Sequence, residues 1–506
     1  MQDKDSVAPD ALVTEEAPKK TYSRTLKAGI LASGQFLTTC VALVSAMVLA
    51  RVLTKIDYAT YRQTMLAYGF AAPLLTLGLP QALYYFLPGE KERARGVLIE
   101  NLLLLSFMGA IFSLFLLLGG NSLLAKRFNN PDLSNTLRIL IPYSLAMFPA
   151  GALGACLVAR DRVGQVAVYN VLSRVLQVAM IVAACLIWQT PMAALAGAVL
   201  AAGIILIPAL KLMLAACKGS DSYPRMSGII AQLKFSLPLG LAGIVGTLAL
   251  DLDKVLVSSM CSPEAFAVFV NGAMEIPLIA VLTGSITSVL LADFASHHRA
   301  GEYKAILDIW HRATVKCAVF LFPIGIFLLA MAPEVMRLLF SSKYSESAVP
   351  FRIYILRLPV RITTFGAIFM ASGNSRLVLY RSASGLVLNC VVSIFLIHYF
   401  GAVGAALGTV IVMYLWTVPF CLFFIRKILR VSLWHVYPWG GLAKVSAICA
   451  AASTVFVARL WVDLGDFWNT IVFGGFFGVA LLGLYSRYGI VSPRAFAGVA
   501  RRLLKL

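Results

Sequence analysis

Apolar stretches follow one another from Leu26 to Tyr488 with only short polar interruptions. A helix needs roughly 20 apolar residues to span the hydrocarbon core. About fourteen segments meet that length: 26–53, 63–87, 97–119, 136–159, 166–188, 192–216, 230–258, 264–293, 306–340, 350–371, 377–399, 402–425, 437–462 and 467–487. The runs are continuous rather than alternating, so they predict helices and not the short strands of a barrel. The ninth stretch is longer than a span and is expected to be one tilted helix with an interfacial end. The expected fold class is an all-α polytopic membrane protein of about 14 transmembrane helices.

The chain also resembles itself. Span one ends in Val52-Leu53, followed by Asp57-Tyr58-Ala59-Thr60-Tyr61; span seven ends in Val255-Leu256-Val257, followed by Ala265-Phe266-Ala267-Val268-Phe269. Tyr169 in span five corresponds to Tyr380 in span eleven, and Ala193–Gly197 in span six to Gly401–Ala405 in span twelve. Six spans separate each pair, so the two copies are expected to be parallel six-helix bundles related by an axis along the membrane normal. The expected division is a disordered tail at 1–25, bundles at 26–216 and 230–430 joined by a linker at 217–229, two additional helices at 431–490, and a basic amphipathic tail at 491–506.

Composition sharpens the class. Of 506 residues 60% are hydrophobic and only 13% charged, with mean hydropathy +0.85; soluble domains carry about 25% charged residues. The formal charge of +20 reads as topology and not as a nucleic-acid surface, because its cations sit mainly in alternate loops. Arg93 and Arg95 follow span two, Arg160 and Arg162 span four, Lys218 and Arg225 span six, Arg299 and Lys304 span eight, and Arg426, Lys427 and Arg430 span twelve. The even loops and both termini are therefore expected in the cytoplasm, although Lys55, Arg62, Lys126, Arg127 and Lys343 would then lie outside. The nine cysteines form no CxxC or metal spacing, so neither a disulfide nor a metal site is expected.

No phosphate-cradling loop is present, and five histidines are too few for a metal cluster. Charges at membrane depth carry more information, because burying them is costly unless they face a cavity or a partner. The mid-depth set is Arg174, Glu275, Lys316, Arg357 and Arg361. Arg357 and Arg361 are four apart and expected to share one face of span ten. An excess of cations suits an anion, and guanidinium forks suit phosphate oxygens. The alternative is internal pairing, for example Glu275 with Lys316 or Arg361, that only ties helices together. Asp251 and Asp253, two apart on a helix, are expected to face different ways. Together with Glu275 they are the candidates for H+ or Na+ coupling; no other cofactor is implied.

Ser33-Gly34, Leu49–Leu53, Asp57-Tyr58 and Gly78-Leu79-Pro80-Gln81-Ala82-Leu83-Tyr84-Tyr85 resemble the first helical pair of Wzx-type polysaccharide and O-antigen flippases of the multidrug/oligosaccharidyl-lipid/polysaccharide superfamily. Asp251–Val257 followed by Ala267-Val268-Phe269 is similar to that family's seventh helix and its exit. The resemblance covers roughly residues 25 to 430. It implies a two-bundle, multidrug-extrusion-like transporter in a bacterial inner membrane. It further implies a substrate of oligosaccharide on undecaprenyl pyrophosphate, with glycosyltransferases and a polymerase as partner enzymes. A cationic lumen of Arg174, Lys316, Arg357 and Arg361 would suit the pyrophosphate. Span one is uncharged between Lys27 and Arg51, which argues against a peptidoglycan precursor. The rival readings are a cation-coupled drug antiporter of the same superfamily, which wants an acidic lumen, and a membrane-embedded glycosyltransferase or polymerase, which wants an outer acidic cleft.

Overall fold

The computed structural model describes residues 24–490 apart from 91, 219, 220 and 275, so the two expected tails and Glu275 lie outside the described residues. The first half begins with α1 (Arg24–Val52), α2 (Lys55–Thr76), α3 (Leu79–Gly89) and α4 (Ala94–Phe115). It continues through the short α5 (Asn121–Arg127), α6 (Leu133–Ile139), α7 (Ile141–Ala150) and α8 (Leu153–Ala159) to α9 (Val163–Trp188) and α10 (Pro191–Ala216). The second span starts earlier than expected. Thr54 caps α2 by accepting from the Asp57 amide at 3.1 Å, which draws Lys55, Asp57 and Arg62 into the helix. It then breaks at Leu77 and Gly78, both left-handed, where α3 begins on Pro80.

The second half contains α11 (Met226–Met260), α12 (Pro263–Gly272), α13 (Pro277–Arg299), α14 (Tyr303–Ala330), α15 (Ala332–Phe340), α16 (Ala348–Ile355), α17 (Leu358–Arg361), α18 (Phe365–Ala371), α19 (Ser375–Phe400), α20 (Ala402–Val412) and α21 (Val418–Leu429). The eighth expected span is divided into α12 and α13, with Pro277 opening the second piece. The ninth is also two helices, α14 and α15, rather than one tilted rod, and the tenth is divided into α16, α17 and α18, with Pro359 in the first turn of α17. Proline at the first turn of a new helix is tolerated where its missing N–H was unpaired anyway. After α22 (Leu433–Val436) the described residues close with α23 (Trp439–Ser453) and α24 (Asp466–Arg487). By length and composition, twelve helical stretches among the described residues are able to cross a membrane, or thirteen with α11, which bends by 40° between Leu241 and Gly243. Pro238 and Gly240 sit in the turn before that bend, the usual chemistry of a kink.

The packing repeats between the halves. In the first, α1 lies on α9 and α9 on α10; in the second, α11 lies on α19 and α19 on α20. Small residues permit both close approaches. Gly34 meets Ala167, and any side chain at Gly197 would strike the backbone of α9. Gly404 and Gly408 abut the backbone of α19 in the same manner. Without a hydrophobic difference between lipid and helix, such dispersion contacts and interhelical hydrogen bonds hold membrane bundles together.

One helix joins the halves. The first part of α11 docks on α3 and α4: Gln232 donates to Val97 O at 3.0 Å, Asn101 donates to Gln232 at 2.9 Å, and Phe235 stacks on Tyr85 with centroids 4.8 Å apart. Past its bend, α11 runs along α19 and α20. The last two helices rest on the second half. Arg337 of α15 makes a two-pronged ion pair with Asp466 of α24 (2.8 and 2.9 Å), and Tyr485 donates to Val319 O of α14 at 3.0 Å.

Candidate functional site

The second half carries two open cavities, and Arg357 and Arg361 line both of them. The first, about 300 Å³, is bounded on one side by α11, which contributes Asp251, Asp253 and Lys254. Asp251 and Lys254 are three apart on one helical face, so Lys254 Nζ reaches the carboxylate at 2.6 Å. Asp253 is buried, and its carboxylate accepts from the Lys254 amide at 2.7 Å. The two aspartates were expected to face different ways, yet both border the same space.

The facing wall is the broken tenth span. The chain turns out of α16 after Ile355 and into α17 at Leu358 and Pro359. Arg357 lies just before α17, with helical backbone and with its guanidinium over the Tyr354 ring, 5.1 Å from the centroid. Its Nε is buried without a hydrogen bond, and no described carboxylate lies within ion-pair distance. It does interact electrostatically with Asp253. The lining of the first cavity therefore holds three cations and two carboxylates among the described residues, one pair already joined. The second cavity, about 370 Å³, adds Arg381 and the neutral polar groups Ser382, Asn389, Thr409 and Thr417. This combination suits a ligand with a strongly anionic end and a hydroxyl-rich body: guanidinium forks for the first, amide and hydroxyl groups for the second.

The other expected residues fall elsewhere. Arg174 is on α9 in the first half, where it donates to Gln177 at 2.9 Å and Gln177 donates to Tyr143 OH at 2.8 Å. Arg62 is nearby, its charge and that of Arg174 both felt at Tyr61. Lys316 borders neither cavity; it lies on an exposed face of α14 with Arg312 and Phe320. Position 275 is outside the described residues, but its neighbours Met274 and Ile276 line the first cavity. Arg381 of α19 and Lys254 of α11 line the cavities too, which depth counted from span ends does not reveal.

The halves meet at the end formed by the odd loops. Tyr58 donates to Asn271 at 2.7 Å and Gln63 to Ser258 at 3.0 Å. Around them is a reciprocal arrangement of helix ends. Arg51, in the last turn of α1, donates to the terminal carbonyls Leu338 O and Leu339 O (2.5 Å to the latter) of α15. Lys343, just past α15, donates to Arg51 O at 2.8 Å and Leu53 O at 3.1 Å at the end of α1. Cations at helix C-termini satisfy unpaired carbonyls and oppose the negative end of the dipole. Substituting Arg51→Gln with Lys343→Gln is expected to loosen this end. Cysteines placed at Lys55 and Glu346, whose charged groups are 3.8 Å apart, should then cross-link several-fold more slowly than in the otherwise native chain; an unchanged rate would show that these cations do not hold the closure.

A family model described as "Polysaccharide biosynthesis protein" matches residues 25–291. No curated protein matches the sequence. Among solved structures, the lipid II flippase MurJ in an inward closed conformation superposes with TM-score 0.72 at 15% identity, over 92% of this chain and all of that one. An inward-facing multidrug resistance MATE family transporter of the MOP superfamily gives 0.64 at 14% identity, over 81% and 100%. A MOP superfamily transporter from Pyrococcus furiosus, described by the reverse polarity of its binding pocket, gives 0.57 at 13% identity, over 81% and 97%. At such identities these likenesses establish the fold alone, a multi-pass helical architecture. The match over more than half of the chain establishes the family: this protein belongs to the polysaccharide biosynthesis protein family.

Proposed function

We propose that the protein is a flippase that carries oligosaccharides linked to undecaprenyl pyrophosphate across the bacterial inner membrane by alternating access, without chemical catalysis. The observation that carries this reading is the pair Arg357 and Arg361, which line both cavities of the second half. The pyrophosphate would be held by these guanidiniums, with Arg174 of the first half met along the path; Lys316, on an exposed face of α14, drops out of the candidate set. The sugars would contact the Ser382, Asn389 and Thr409 side of the second cavity. The segments 26–216 and 230–430 would be the two moving bodies, with both termini in the cytoplasm. Asp251, Asp253 and Glu275 would couple the cycle to H+ or Na+. Glycosyltransferases would supply the substrate, and a polymerase would consume it.

A cation antiporter is the second reading, favoured by Asp251 and Asp253 in the first cavity and by the MATE neighbours. Deleting the protein and separately assaying the two leaflets distinguishes them. The flippase reading expects lipid-linked oligosaccharide to accumulate in the cytoplasmic leaflet and surface polysaccharide to fall. Unchanged leaflet distribution with lost export of an organic cation would establish the antiporter instead.

A further inference from the structure

The exposed side of α21 carries a feature that transport does not use. Cys421, Ile425 and Leu429 face the interior and are buried. The opposite side presents Phe420, Phe423, Lys427 and Arg430 at steps of three and four residues, one continuous stripe of a helix. The stripe changes character along its length. Its start is aromatic: Trp416 meets Phe420 with centroids 5.9 Å apart, and Phe420 meets Phe424 at 4.7 Å. Its end is a pocket formed by Phe423, Arg426, Lys427, Arg430 and Val431.

The three cations of this pocket make no ion pair with a described carboxylate. Two of them lie against rings: Lys427 Nζ is 4.4 Å from the Phe423 centroid, and the Arg430 guanidinium is 5.5 Å from that of Tyr303. Cation–π contacts leave the N–H donors free to bond elsewhere. Just beyond the pocket Trp434 and Trp439 stack at 5.4 Å, and both are exposed. Exposed tryptophans mark the depth of lipid headgroups. A cationic pocket at headgroup depth, continued toward the bilayer centre by an exposed aromatic stripe, has the polarity of one lipid molecule. Because α21 turns its other side to the interior, this surface reads the surrounding bilayer and not cargo in the cavities.

We propose that the Arg426–Lys427–Arg430 pocket binds an anionic glycerophospholipid, its phosphodiester held by the three cations and one acyl chain lying along Phe423 and Phe420. Juxtamembrane cations each contribute appreciably to binding of anionic lipid, so removing all three is expected to weaken it roughly a hundredfold.

The test uses the full chain in micelles supplemented with phosphatidylglycerol or phosphatidylethanolamine, with retained lipid counted by native mass spectrometry. The native protein should retain phosphatidylglycerol preferentially. R426Q/K427Q/R430Q should lose the preference, and R95Q/R299Q, at exposed cations of other loops, should keep it. If the triple variant does not purify as a single species, Lys427→Gln and Arg430→Gln alone should each weaken retention several-fold. Equal retention of the two lipids by the native chain, or full retention by the pocket variants, would overturn the proposal. So would displacement of phosphatidylglycerol by an equal concentration of undecaprenyl pyrophosphate, which would assign the pocket to cargo.

Discussion

Replacing Arg357 and Arg361 together by alanine is expected to reduce surface polysaccharide to near the level of a strain lacking the protein, at matched membrane abundance. Both side chains border both cavities, so a phosphate group in either would meet them. A charge-assisted hydrogen bond contributes about 1.5–3 kcal/mol. Losing two such anchors would lower headgroup affinity by roughly a hundredfold or more. Lysine at both positions keeps the charge but not the planar two-pronged donor, and should fall between native and alanine. Asp251→Asn with Asp253→Asn is the informative companion: under the proposed scheme it should alter the dependence on pH or sodium more than the retention of substrate. Normal polysaccharide output from the double alanine variant would remove these arginines from the transport path.

Glu334→Ala is expected to give the largest loss of stability. Glu334 is 1% exposed at the start of α15. It pairs with Arg459, which precedes α24, and stands 3.7 Å from Arg337. An acid in the first turn of a helix already favours the dipole, and removing one member of a buried pair strands the other. Such losses are about 3–5 kcal/mol. The partners here keep close to a third of their exposure, so a cost of about 3 kcal/mol, at the low end, is appropriate. Thermal unfolding in detergent should register it, with the 454–465 segment becoming sensitive to protease. Glu334→Gln keeps the acceptor and should lose less. An alanine variant as stable as the native chain would show that Arg337 and Asp466 alone fasten this region.

The spans were legible because long apolar runs have one stable form in lipid. Their interruptions were partly legible. Thr54 followed three residues later by Asp57 is a capping pattern, and it marks the true start of α2 within what reads as a charged loop. Pro277 and Pro359 announced that the eighth and tenth spans were not single rods. The site was harder. Arg357 and Arg361 come together as expected: the Arg361 amide bonds Arg357 O at 3.1 Å, one helical turn apart, and both side chains line the same two cavities. Lys316 has the same depth in the sequence, yet the rotation of α14 places it with Arg312 and Phe320, away from both cavities. Depth can be counted from a sequence; azimuth depends on the neighbours, and breaks in α12–α13 and α16–α17 reset it.

Because α23 and α24 grip α14 and α15, they form a convenient handle. A fluorophore on exposed Trp468 and a second on exposed Leu186 at the end of α9 would sit on the two segments that the proposed alternating-access cycle moves against each other. The distance between them would then report each stroke in real time, in living membranes and without a label anywhere near the cargo.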